Sequence, residues 1–173
     1  MSMNTYPFEQ KCALVVTPAV ACAMLLKDSI DNGVETDFIP DEIKAAIEAG
    51  RRFLEIAEDP GFTDALDNNG WRSVSDAYDM LETYDVDGMV HCSEFDGSAE
   101  ISEGFGDEKS QSISFEDDFV LFLTPMRGPS LFSQAYASRD ELVQEYKDRL
   151  AQFLDDDFPY ARYIMDVSGT YFC

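Results

Sequence analysis

Histidine is nearly absent from this sequence, and cysteine is scarce. The chain of 173 residues contains one histidine, His91, and four cysteines, none of them in a Cys-x-x-Cys pair. A structural zinc site needs about four Cys or His ligands at short spacings, so the sequence predicts none. A cysteine nucleophile needs a base beside it, and His91 is a poor partner for Cys92 because adjacent residues of a strand point to opposite faces.

Catalytic sequence motifs are also missing. The sequence has no P-loop, no glycine-rich dinucleotide fingerprint, no His-Glu-x-x-His and no Gly-x-Ser-x-Gly. Paired carboxylates carry little information here, because in so acidic a chain some pair lies close by chance. We therefore predict that the protein is not an enzyme and uses no cofactor and no metal. An enzyme with carboxylate or metal-dependent chemistry is kept as the third alternative.

Basic residues are few. Twelve Lys and Arg stand against 35 Asp and Glu, which gives a net charge of −23. Direct binding to nucleic acid or to an anionic membrane needs basic patches that neutralise phosphate, so both are excluded as partners. The charge instead predicts a basic protein as the partner.

The cysteine spacing implies no disulfide. Cys12, Cys22, Cys92 and Cys173 are widely separated, which predicts reduced thiols in the cytoplasm. The apolar run over 12–26 is the one stretch similar to a targeting segment, but Glu9 precedes it, Pro18 interrupts it, and it is too short to span a bilayer. We predict a cytoplasmic location, which is the host cytoplasm if a phage encodes the chain.

Length and hydrophobic periodicity predict one domain over 1–173, because 45% apolar residues suffice for a core. Local patterns predict a strand over 8–16, a helix over 18–31, a helix over 40–59, a helix that begins at Ser73 and a helix after Ser138 that reaches Phe153.

Strand-like periodicity replaces helical periodicity after residue 88. The dipeptide Asp96-Gly97 is favoured in two-residue turns and predicts a hairpin between 89–95 and 98–103. Further strands are predicted over 112–116, 119–124, 131–137 and 160–171, with 119–124 central in the sheet because it is continuously apolar. The predicted fold class is α+β, an antiparallel sheet (a meander of about four to six strands) packed with about four helices.

Residues 83–94 partly match a calcium-binding EF-hand loop, with acids at positions 3, 5 and 12 and glycine at position 6. Position 1 is Thr83 rather than an acid. The segment after Glu94 predicts a hairpin, whereas an EF-hand requires a second helix. The sequence favours a plain turn.

Negative charge is concentrated in one part of the chain. Residues 61–118 carry −14 of the net −23, while 119–154 are neutral overall. Along the third predicted helix four acids recur every three residues, which places neighbouring side chains about 5–6 Å apart. Further acids continue across the predicted hairpin edge and the loop after it. We predict a partner-binding surface made of Asp76, Asp79, Glu82, Asp85, Asp87, Glu94, Asp96, Glu100, Glu103, Asp107 and Glu108.

Such a surface predicts a non-enzymatic acidic inhibitor of a basic, nucleic-acid-binding protein. By analogy of size and charge rather than of motif, it would be a DNA mimic such as a phage anti-restriction or anti-CRISPR antagonist, or a nuclease immunity protein. The alternative is a housekeeping or virion-associated structural domain whose acids are a solvated or halophilic face. The uneven charge favours the inhibitor, because a general adaptation would acidify the fourth helix as well.

Overall fold

The structure, a computed structural model, describes residues 5–33, 39–62, 64, 73–86, 89–91, 95–101, 112–114, 121–123 and 139–172. The chain divides into two compact units. The sheet unit consists of Met1–Thr17, Val86–Arg149 and Pro159–Cys173, and the helical unit consists of Pro18–Asp85 and Leu150–Phe158. The single domain over 1–173 stays a prediction, because compact units can fold either together or separately.

Strands and helices with defined bounds lie in both halves of the chain. The strands are β1 (Thr5–Val16), β2 (Met89–His91), β3 (Phe95–Ile101), β4 (Ser112–Ser114), β5 (Leu121–Leu123) and β6 (Ile164–Phe172). The helices are α1 (Pro18–Asp31), α2 (Asp41–Glu48), α3 (Phe53–Ala57), α4 (Ser73–Thr83), α5 (Arg139–Leu150) and α6 (Tyr160–Tyr163).

The sheet unit is organised around the pairing of β1 with β6. The strand order is β2-β5-β1-β6-β3-β4, and the paired strands are antiparallel. The β1–β6 ladder runs from Thr5 opposite Phe172 to Leu14 opposite Ile164. β5 lies between β2 and β1, which agrees with the central position predicted from its apolar character.

The predicted fold class is wrong. In a meander each strand pairs with the next one along the chain, whereas among the described strands only β3 and β4 do so. Three of these strands have only three residues each. More of the described residues lie in helices than in strands, and the helices exceed the four predicted. The error has a physical reason: the dominant ladder joins residues that are far apart in the sequence, and local turn signals cannot indicate such a pairing.

The predicted hairpin turn at Asp96-Gly97 is also wrong, because both residues lie inside β3. Asp96 is opposite Thr170 of β6, and Gly97 is opposite Gly169. Pairing with β6 on one side and with β4 on the other outweighs the local turn preference of the dipeptide. The predicted strand over 131–137 lies outside the described residues.

A bulge interrupts β1 at Cys12. The register against β6 shifts between Gln10 and Ala13, and Cys12 has a φ of 56°, which is uncommon for a residue other than glycine. After the bulge, the segment from Ala13 to Val16 is fully buried. The first strand therefore delivers its last four residues to the core of the sheet unit.

The helical unit is built around α1, which begins at Pro18 as the sequence predicts. Every residue from Val20 to Leu26 is buried, the pattern of a helix covered on all sides. Both α3 and α4 contact α1. α4 begins at Ser73, also as predicted.

The helix predicted over 40–59 is two helices, because Gly50 ends the first. Gly50 has a φ of 80°, its N–H donates to the carbonyl of Ile47, and the N–H of Arg51 donates to the carbonyl of Ala46. This pattern is a Schellman motif, in which glycine supplies the left-handed conformation that closes a helix. α3 then starts at Phe53.

The two remaining predictions near the end of the chain are partly right. α5 follows Ser138 as predicted and buries Leu142, Tyr146 and Leu150 completely, but it ends before Phe153. The strand predicted over 160–171 begins only at Ile164, because the preceding turn is the short helix α6.

Candidate partner-binding surface

Four of the predicted surface acids lie on α4 or directly after it, and all four are exposed. We call this group the acidic ridge; its members are Asp76, Asp79, Glu82 and Asp85. Along α4, spacing by three residues keeps Asp76, Asp79 and Glu82 about 5–6 Å from their neighbours at the Cβ atoms. Asp85 follows two residues after the helix ends.

The opposite side of α4 faces the core of the helical unit. Ala77 and Leu81, four residues apart, are completely buried. Apolar residues recur at Val74, Tyr78 and Leu81 in the sequence of α4, which predicts a buried stripe. Leu81 is buried and Tyr78 is only half-buried, while the burial of Val74 lies outside what the structure describes. Ala77 is buried on this side of α4 instead of Tyr78, and the ridge lies on the side of the helix away from it.

The ridge is not neutralised within the described part of the chain, where no Lys or Arg forms an ion pair with it. By contrast, acids on α3 and after it form ion pairs with arginines. Arg51 Nη1 lies 3.2 Å from Asp59 Oδ2, and Arg52 pairs with Glu55 and Asp157. Within the described residues, the ridge is therefore a local concentration of negative charge without paired cations.

Local hydrogen bonds order the C-terminal half of the ridge. The hydroxyl of Tyr78 donates to Glu82 Oε1 at 2.5 Å, and Thr83 Oγ1 donates to the carbonyl of Asp79 at 2.9 Å. Asp85 has a φ of 50°, and its N–H donates to the carbonyl of Glu82 at 3.1 Å. Asp tolerates this left-handed conformation better than most residues, so the chain leaves the helix with another carboxylate at the surface.

Tyr84 packs this end of the ridge against Phe153, within the helical unit. Tyr84 is 44% exposed, and its ring meets the ring of Phe153 edge-on, with centroids 5.3 Å apart. The negative charge of Asp28 raises the pKa of the Tyr84 phenol, and burial and a hydrogen bond to Asp28 act in the same direction. Asp28 is itself buried and accepts a bond from Asn32 Nδ2 at 2.6 Å. The phenol therefore stays protonated beside the ridge.

Two other predicted surface acids, Asp96 and Glu100, lie on β3 in the sheet unit. The sequence places them at a sheet edge, but β3 runs between β6 and β4 and is not an edge strand. They also belong to a different compact unit from the ridge, so neither unit alone brings all of these acids together. The remaining predicted acids lie outside the described residues; they are Asp87, Glu94, Glu103, Asp107 and Glu108.

The strand register adds two acids to the predicted acids of the sheet unit, and sequence reasoning missed both. Asp166 of β6 is directly opposite Glu100, and Glu9 of β1 is opposite Ser168. Because alternate residues of a strand share a face, Glu9 and Asp166 fall on the same face of the sheet as Asp96 and Glu100. The alternation of polar and apolar residues over 166–171 predicts a strand. Only the pairing of β6 with β1 and β3 shows which acids lie opposite its residues.

Among the residues that the structure describes, no three His, Cys, Asp or Glu side chains are grouped so that they could hold a metal ion. Thr83, at position 1 of the calcium-loop pattern, is the last residue of α4, and positions 7–9 form β2. Two acids of that pattern, Asp87 and Glu94, are outside the described residues.

Comparisons with known proteins identify no relative. No family model, no curated protein and no solved structure matches the chain. None of the described helices combines the length and apolar character needed to cross a membrane.

Proposed function

We propose that the protein is a non-enzymatic acidic inhibitor whose ridge binds the basic groove of a nucleic-acid-binding protein, in the cytoplasm. The observation that carries this proposal is the exposed ridge without a paired cation among the described residues. A phage anti-restriction or anti-CRISPR antagonist and a nuclease immunity protein would use the same physics.

The ridge has a charge spacing suited to a groove that normally holds phosphates. Three helical residues rise about 4.5 Å, so the carboxylates of Asp76, Asp79 and Glu82 advance by about that distance along the axis of α4. Successive phosphates of one DNA strand advance by about 3.4 Å. The ridge therefore presents a row of charges of similar density to one strand of a duplex, which is the basis for calling it a DNA mimic.

The C-terminal end of the ridge costs helix stability, whereas Asp76 lies in the first turn of α4, where an acid is favourable. Glu82 lies at the C-terminal end of α4, which has no basic residue in its last turn. An acid there opposes the helix dipole by about 0.3–1 kcal/mol, and like charges three residues apart add to the cost. Solubility alone requires acids somewhere on the surface rather than at this unfavourable end, so the arrangement supports a binding role.

The test compares two variants that lose the same charge from different places. The ridge variant is Asp76→Asn, Asp79→Asn, Glu82→Gln and Asp85→Asn. The control variant is Asp140→Asn, Glu141→Gln, Asp148→Asn and Asp156→Asn, all exposed residues outside the ridge. Binding rates are measured against a panel of purified basic nucleases, and a small basic protein without a nucleic-acid groove is included to measure unspecific attraction.

We expect the ridge variant to slow association with a bound nuclease by about tenfold or more, because electrostatic steering acts mainly on the on-rate. The control variant should change it by less than about threefold, and wild-type binding should weaken steeply as salt rises. Equal losses in both variants would mean that only total charge matters. No binding to any nuclease at low salt would leave the acids as the solvated face of a housekeeping or virion-associated domain.

A further inference from the structure

A cleft of about 510 Å³ lies in the helical unit beside α2 and α3. Its apolar lining includes Ile43, Ile56 and Phe62, all of which are buried. The volume falls within the range of about 300–1,000 Å³ that is usual for ligand pockets. The cleft thus has room for a large side chain and part of its neighbour.

Charged residues surround the apolar floor, and negative charge prevails. Among the described residues of the lining, Glu42, Asp59 and Asp64 stand against one cation, Arg51. Arg51 is already engaged, since Nη1 lies 3.2 Å from Asp59 Oδ2 and Nη2 donates to the carbonyl of Glu55 at 3.0 Å. Glu42 and Asp64 are exposed and add two further negative charges.

Asp59 is held as a carboxylate. The N–H of Gly61 donates to Asp59 Oδ1 at 3.0 Å, and this bond together with Arg51 lowers the pKa of Asp59. An anionic ligand would meet a wall with an excess of negative charge, while a purely apolar ligand would make no use of Glu42 and Asp64. A ligand that joins an apolar group to a cation satisfies both the floor and the rim.

We propose that this cleft binds an apolar side chain of the basic partner protein, with a neighbouring Arg or Lys of that partner placed against Glu42 and Asp64. The identity of the occupant rests on the proposed function, because charge complementarity selects a basic protein. Buried apolar anchors hold a complex together and slow its dissociation, whereas exposed charges mainly speed association. The ridge therefore speeds association, and the cleft slows dissociation. Both lie in the helical unit, where α3 and α4 each contact α1.

The probes are short capped peptides in otherwise identical Gly/Ser sequences. One has Arg-Leu-Arg at its centre, a second has Arg-Ser-Arg and a third has Glu-Leu-Glu. Binding to the full chain is followed by NMR of the isoleucine methyl groups, with Ile43 and Ile56 as reporters inside the cleft. We expect the Arg-Leu-Arg peptide to bind with a Kd of about 1 mM, because it makes a contact of only a few side chains.

Two pairs of variants test the floor and the rim. Ala46→Leu fills the cleft from α2, and its control Ala45→Leu adds the same side chain at an exposed position of the same helix that does not line the cleft. Glu42→Gln combined with Asp64→Asn removes the rim charge, and Glu48→Gln is the control on α2. We expect at least about tenfold weaker peptide binding for Ala46→Leu and about threefold for the rim variant, with both controls within about twofold.

Equal binding of the Arg-Ser-Arg peptide would overturn the apolar anchor, and equal binding of the Glu-Leu-Glu peptide would overturn the cationic neighbour. Unshifted Ile43 and Ile56 methyl signals would overturn the site itself. The ridge variant separates this inference from the proposed function. Peptide binding that survives in the ridge variant supports the cleft even if no nuclease binds, and ridge-dependent nuclease binding without peptide binding refutes the cleft alone.

Discussion

The phenol oxygen of Tyr146 accepts a hydrogen bond from the N–H of Leu14 at 3.0 Å and donates one to the carbonyl of Cys12 at 2.8 Å. Both backbone groups lie at the bulge of β1, where the register against β6 shifts. A bulge leaves backbone groups without strand partners, and a buried group left in that state is costly. A side chain of α5 thus supplies two hydrogen bonds to the first strand at its bulge.

Replacing Tyr146 by Phe should destabilise the sheet unit. The change removes only the hydroxyl, so the ring and its contact with Arg149 remain. The buried N–H of Leu14 and the carbonyl of the half-buried Cys12 each lose this hydrogen bond. We expect a loss of about 1–3 kcal/mol in the free energy of unfolding, measured by urea denaturation. Tyr78→Phe is the control, since the Tyr78 hydroxyl bonds to Glu82 at the surface, and it should change stability by less than about 0.5 kcal/mol. If Tyr146→Phe lost no more stability than Tyr78→Phe, the proposed role of the Tyr146 hydroxyl at the bulge would be contradicted.

Replacing Gly50 by Ala should destabilise the helical unit. Apart from its own helix and chain neighbours, a Cβ at this position would meet no atom within 4 Å in the described part of the chain. The cost therefore comes from the backbone, whose φ is 80°. A left-handed conformation costs an L-residue about 1–2 kcal/mol, and we expect that loss in the free energy of unfolding. Gly61→Ala is the matched control, because its Cβ would make an ordinary contact 3.4 Å from Asp59 Oδ1 without a positive φ. A stable Gly50→Ala variant would contradict the role of Gly50 in ending α2.

Helix starts could be predicted from the sequence because their signals are local. Pro18 and Ser73 begin α1 and α4 where the pattern places them. The end of α2 was also readable in principle, since Gly50 is the residue that a Schellman motif requires, but the apolar periodicity across 40–59 concealed it. Sheet order could not be predicted, because the partner of β1 is β6 at the other end of the sequence.

The predicted surface acids likewise include some whose position follows from local sequence signals and some whose position depends on long-range strand pairing. Exposure of the acidic ridge follows from helical periodicity, so it could be predicted from the spacing of Asp76, Asp79 and Glu82. The position of Glu100 in the sheet could not be predicted from the sequence. It depends on the pairing of β3 with β6, which puts Asp166 opposite Glu100. The cleft beside α2 was missed altogether, since its lining comes from residues spread over 40–64 that no single motif connects.

Asp59 should make the helical unit more stable at neutral pH than at acid pH. The N–H of Gly61 and then Arg51 lower the pKa of Asp59 in the folded protein. A lowered pKa means that the stabilisation is present above the ordinary pKa of Asp, about 3.9, and is lost as the pH falls through the folded value. Asp59→Asn should therefore lower the Tm at pH 7, and the difference from wild type should shrink below about pH 4. A Tm difference independent of pH would contradict this.

Asp155 should show the opposite pH dependence. Its carboxylate accepts a bond from the N–H of Phe53 at 3.4 Å, yet burial outweighs that bond, and burial with the charge of Asp157 raises the pKa of Asp155. A raised pKa means that ionisation costs stability: the full stability is present below about pH 3.9 and is lost as the pH rises through the folded value. Asp155→Asn keeps an acceptor for Phe53 and should raise the Tm at pH 7, with the gain vanishing at low pH. Asp156→Asn removes the same charge from an exposed neighbour, so an equal gain there would show that overall charge, not burial, is responsible.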